Sequence, residues 1–80
     1  MTEAYRLRHK LIRRELPLTW LIQQFRRLRL PYTSDEIQDV FDGVKTDAEA
    51  KTIFNAAMRI IDDYDRWENS LSVTEVVVHG

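Results

Sequence analysis

Pro17, Pro31 and Gly43 are the strong helix breakers ahead of the terminal Gly80, and they divide the 80 residues into four segments. Within each segment apolar residues recur three and four positions apart, the period of one face of an α-helix. From Ala4 to about Glu15 the row is Ala4, Leu7 and Leu11 with Ile12 beside it, and basic residues fill the other face. Pro17 ends this segment, because a proline pushes the residue before it out of the α region. The second segment has Thr19 as its N-cap and carries Leu18, Leu21, Phe25 and Leu28 on one stripe, widened by Ile22, and Pro31 closes it. Four helices joined by short connections predict an all-α four-helix bundle.

The third and fourth starts carry their own signals. Thr33 and Glu36 have the spacing of a capping box, in which each side chain accepts from a backbone donor that the helix end would leave bare. Tyr32 and Ile37 occupy the positions of a hydrophobic staple. Ile37, Val40 and Phe41 are expected to face inward, and Gly43 stands where a left-handed C-cap favours glycine. Thr46 and Glu49 have the same box spacing and open the longest segment, which runs to about Glu68. Its apolar row is Ala50, Ile53, Phe54, Ala57, Ile60, Ile61 and Tyr64, with Trp67 at the end. Beyond Leu71 the pattern changes: Val73, Val76, Val77 and Val78 with Thr74 favour an extended chain. Residues 1–70 are therefore read as the helical domain and 71–80 as a C-terminal strand or arm, either unstructured, laid across the bundle, or paired with a second copy.

With 44% apolar residues and no cysteine, the chain builds one modest core without disulfides or thiolate metal sites, which fits a reducing, cytoplasmic setting. The charged start predicts no signal peptide, and no apolar run approaches the length of a membrane span. The net charge of −1 conceals a division. Residues 1–30 hold eight basic side chains against two acids, whereas residues 31–80 hold four against eleven. Provided the halves do not interleave, such a chain has two electrostatic faces. Arg26, Arg27 and Arg29 fit a phosphate-gripping patch, and they equally complement the dipole at a helix C-terminus. Asp62, Asp63, Asp65 and Glu68 lack the ligand alternation and central glycine of a calcium loop. Arg59–Asp63 and Asp62–Arg66 have the spacing of ion pairs within a helix. His9 and His79 are too isolated for a zinc site, and no catalytic set or glycine-rich phosphate loop can be assembled. No enzyme activity, metal or cofactor is expected.

The stretch from Thr33 to Gly43, then Val44-Lys45-Thr46 and the segment to Ile61, resembles the second half of the Cro/repressor type of helix-turn-helix domain of lambdoid phages. Leu18-Thr19-Trp20-Leu21-Ile22 is similar to the start of that family's first motif helix. The resemblance covers about two-thirds of the chain. It implies that the third helix is a recognition helix presenting Ser34, Asp35 and Gln38 to base edges. Thr19 or Trp20, Thr33, Lys45 and Thr46 would then lie near phosphates. It also implies a dimer formed by antiparallel pairing of residues 72–78, since two-fold operators are read by two-fold proteins.

Two functions follow as expectations. The first is a small phage or mobile-element transcriptional regulator that binds double-stranded DNA through Thr33, Ser34, Asp35, Gln38, Lys45 and Thr46, with Arg26, Arg27 and Arg29 on phosphates. The second starts from Asp35, Glu36, Asp39 and Asp42 on the same segment, which repel a polyanion unless nearby cations outweigh them. It is a protein-binding antagonist, an antirepressor or inhibitor, whose acidic face meets a basic partner.

Overall fold

The computed structural model describes the backbone of residues 2–79 and the side chains of residues 2–70. Its organising element is α4 (Ala48–His79), whose 32 residues span about 48 Å at 1.5 Å per residue. That length matches the 50 Å long axis of the molecule. Against α4 pack α1 (Glu3–Arg13), α2 (Leu18–Arg27) and α3 (Ser34–Phe41), helices of 11, 10 and 8 residues that cannot hold their shape in isolation. The all-α four-helix architecture is as expected, with no strand among the described residues.

The core draws on every helix. Leu7 and Leu11 of α1, Leu21 and Phe25 of α2, Ile37 and Val40 of α3, and Ala50, Ile53, Phe54, Ala57, Ile60 and Ile61 of α4 are buried in one cluster. The expected rows differ from it at their margins. Ile12 and Leu28 are exposed at 70% and 59%, and Trp67 at 57%. Each lies at the end or flank of its stripe, where no facing helix reaches it.

Three of the four helices end in the same way. After α1, Glu15 takes φ 56°, its N–H bonds the Ile12 carbonyl, and the Leu16 N–H bonds the Leu11 carbonyl. After α2, Arg29 takes φ 56°, with Arg29 N–H on Arg26 and Leu30 N–H on Phe25. After α3, Gly43 takes φ 77°, with Gly43 N–H on Val40 and Val44 N–H on Asp39. Each is a Schellman closure, which returns otherwise orphaned carbonyls to the hydrogen-bonded set. At the first two, the leucine after the left-handed residue packs back on the core and a proline follows. The helices therefore stop one turn before Pro17 and Pro31.

The starts differ from expectation at two places. α2 is capped by Pro17 in extended conformation, with Thr19 inside the first turn and no side-chain cap bond. α4 is capped by Asp47, whose carboxylate accepts from the Ala50 N–H at 2.9 Å, so Thr46 does not cap and no Thr46–Glu49 box forms. The carboxylate suits the positive helix end better than a hydroxyl does. The box of α3 is as expected: Thr33 Oγ1 accepts from Glu36 N–H, and Glu36 accepts from Thr33 N–H. Thr2 caps α1 by accepting from the Tyr5 N–H at 3.2 Å.

The strand or extended arm expected over 71–80 is not what the backbone adopts, since α4 continues unbroken to His79. Adding a residue to a formed helix gains a hydrogen bond for each residue fixed, while a lone strand leaves its donors open. The expected antiparallel pairing of 72–78 would need backbone donors and acceptors that a helix uses within itself, and the side chains of that stretch lie outside those described.

The expected ion pairs within α4 also resolve differently. Asp63 lies 3.9 Å from Arg66, while Asp62 reaches Lys10 of α1 at 3.8 Å. Asp65 takes Arg14 in a two-pronged contact at 2.8 and 2.6 Å, and Arg14 also donates to the Lys10 carbonyl. The basic and acidic halves of the chain therefore interleave along the α1–α4 seam.

Candidate interaction surfaces

The exposed side of α3 presents Ser34, Asp35, Gln38 and Asp39, followed at its end by Asp42. The sequence places these together because Ile37 and Val40 face the core, which turns the intervening positions outward. Gln38, expected to read adenine, instead donates from Nε2 to Asp42 Oδ2 at 3.0 Å. Thr33 spends its hydroxyl on the capping box. Among the described residues, no cation forms an ion pair with Asp35, Glu36, Asp39 or Asp42.

Lys45, the nearest basic residue in sequence, is engaged elsewhere. Its ammonium lies 3.1 Å from Asp47 and 3.6 Å from Glu49. The hydrogen bond to Asp47 holds its pKa above the usual lysine value. Glu36 and Glu49 share a hydrogen bond between the starts of α3 and α4. The bond holds the Glu36 carboxyl below its usual range, with the Thr33 N–H adding to it, and pushes Glu49 up. Asp47 is held below its usual range by the Ala50 N–H and then by Lys45. Helix caps and a carboxyl pair thus account for most of the polar groups here.

Thr46 is exposed and lines a cavity of about 590 Å³ between the starts of α1 and α4. Arg8, Lys45 and Lys51 border it, but so do Glu3, Asp42 and Asp47. Both helix ends that point to it are already capped, by Thr2 and Asp47. The arrangement has no preference for an anion.

Arg26, Arg27 and Arg29 are exposed and have no ion-pair partner among the described residues. Arg27 belongs to a second surface, a groove of about 590 Å³ formed by Trp20, Gln24, Arg27 and Leu28 of α2 with Ile60, Asp63, Tyr64 and Trp67 of α4. Trp20 meets Tyr64 edge-on at 5.3 Å, and Trp67 leans on Tyr64 at 6.0 Å. A bond to Glu68 holds the Tyr64 hydroxyl and raises its pKa. The cavity at Thr46 reaches α4 only as far as Lys51, while the groove at Arg27 begins at Ile60. At 1.5 Å per residue these stretches are about 13 Å apart along the helix axis. Of the residues expected to grip DNA, Lys45 and Thr46 thus fall beside one stretch of α4 and Arg27 beside another. Sequence reasoning missed the groove, because Leu28 and Trp67 obey the same spacing as the buried rows and only the short reach of the facing helices leaves them bare.

Among the described residues no His, Cys, Asp and Glu cluster is arranged to hold a metal, and no helix is long and apolar enough to cross a membrane. No protein-family model, curated protein or solved structure matches the chain. The class defined by its own coordinates is an all-α four-helix chain with an acidic short helix on one surface and an apolar groove on another.

Proposed function

We propose that this chain is a protein-binding module whose α3 surface receives a basic partner, as an antirepressor or inhibitor of a cation-rich protein would. The observation that carries the reading is the row Asp35, Asp39 and Asp42, solvent-exposed and without a cationic partner among the described residues. Carboxylates held close together on a rigid helix attract a cationic surface over a Debye length of roughly 8–10 Å and repel phosphates over the same range. The reading gains from Gln38 being turned onto Asp42 and from Lys45 lying between Asp47 and Glu49, contacts that each would have to give up to meet a base or a phosphate.

The second reading, a DNA-binding regulator, is favoured by one observation, the exposed Arg26, Arg27 and Arg29, which have no ion-pair partner among the described residues. One pair of experiments separates the two. An arginine-rich peptide titrated calorimetrically into the protein should bind with an affinity that falls with salt and is lost in Asp35→Asn/Asp39→Asn. Random-sequence duplex DNA should not be retarded by the native chain at low salt, and Asp35→Lys/Asp39→Lys should begin to retard it. Retardation by the native chain that weakens in Arg26→Ala/Arg27→Ala, with a salt slope reduced by about 0.9 per lost phosphate contact, would establish the DNA reading in its place.

A further inference from the structure

The groove between α2 and α4 stands apart from the acidic α3 surface, and its chemistry is of another kind. Leu28 and Trp67 are exposed at 59% and 57%, and unlike the exposed Ile12 and Val44 they line one groove together. Trp20 and Tyr64, both half-buried, form its floor. Its charges are balanced: Arg27 stands on the α2 side and Asp63 on the α4 side. Among the described residues Asp63 pairs with Arg66 at 3.9 Å, with the two side chains 66% and 80% exposed, so it can exchange partners at little cost.

We propose that this groove is where two copies of the chain associate about a two-fold axis. The argument is complementarity. A two-fold contact presents the same patch from both sides, so each residue meets its counterpart's neighbour and the reverse. A groove with a cation on one rim and an anion on the other satisfies that condition by itself. Rotation of a second copy sets Arg27 of each molecule against Asp63 of the other, and closes Leu28 and Trp67 over the shared apolar floor. Tryptophan and arginine are also the side chains that dominate binding at such centres. An acidic or basic partner would leave one rim charge repelled, whereas a second copy leaves neither.

Sedimentation velocity over a concentration series tests the proposal. The native chain should pass from monomer to dimer as concentration rises. Leu28→Glu should remain monomeric with unchanged helical circular dichroism, because the side chain it replaces lies outside the core. Arg27→Asp and Asp63→Arg should each shift the dimerisation constant at least tenfold towards monomer, and the combined Arg27→Asp/Asp63→Arg chain should recover dimerisation. A native chain that stays monomeric throughout overturns the proposal. So does a dimer that survives Leu28→Glu and both single reversals, or a double reversal that restores nothing.

Discussion

Glu15 and Arg29 hold a left-handed backbone that L-residues other than glycine adopt at a cost of roughly 1–2 kcal/mol. They persist because the closures they complete tie Leu16 and Leu30 to the core. Replacing Glu15 by glycine relieves the backbone and, after the added freedom of the unfolded chain is subtracted, should stabilise the domain by about 0.5 kcal/mol. The melting temperature should then rise by about 2–4 °C, and a fall would show that φ 56° carries no strain. The opposite change at Gly43 meets two obstacles. Its φ of 77° disfavours a side chain, and an added Cβ comes within 3.3 Å of the Ala4 Cβ. Gly43→Ala should destabilise by about 1–2 kcal/mol, read as a lower chemical-denaturation midpoint at unchanged slope. Gly43 was legible in the sequence because glycine advertises this role, while nothing about a glutamate or an arginine does.

At the scale of elements, caps set the boundaries. Thr33→Ala removes an acceptor from Glu36 N–H and should cost about 1 kcal/mol in thermal or denaturant unfolding. Asp47→Ala should lower the melting temperature and Thr46→Ala should leave it where it is; the reverse order would return the capping role to Thr46. The boundary was misread by one residue because threonine and aspartate are adjacent and both are good caps, and only the bond to Ala50 decides between them. Thr33 also has good caps beside it in Ser34 and Asp35, but there the box spacing to Glu36 pointed to the residue that does cap. The apolar periods of α1 to α4 carried the helix count and nearly all of the core, since burial is what the period records. Exposure at Leu28 and Trp67 depends on how far neighbouring helices extend, which no local pattern contains. The valine-rich tail shows the same limit: β-branched residues favour strands by only about 1 kcal/mol at most, and a preceding helix overrides them.

For the whole molecule, the contact that joins the ends of the sequence is Arg14 with Asp65, 51 positions apart. The Arg14 hydrogen bond holds the Asp65 carboxyl below its usual range, with the Arg14 and Lys10 charges adding to it. A carboxyl depressed by folding stabilises the fold above its unfolded pKa of about 3.9, and the gain is lost as pH falls through the lower folded value. Both side chains are partly exposed, at 24% and 34%, so solvent screening limits the pair to about 1 kcal/mol. Asp65→Asn should therefore lower stability by that amount at pH 7 and by nothing once the native carboxyl is protonated. A difference that persists unchanged to pH 2 would assign the effect to packing. The same pair interleaves the basic and acidic halves, so the condition on which the charge division implied two electrostatic faces is not met along the α1–α4 seam.

That long-range closure also orders events during synthesis. At ribosomal rates of about 5–20 residues per second, Asp65 is made roughly 3–10 s after Arg14. Until the core residues of α4 follow, Ala50 to Ile61, the stripe of Leu7 and Leu11 lacks the helix that covers it, and the nascent chain offers that apolar surface to chaperones and to other nascent chains.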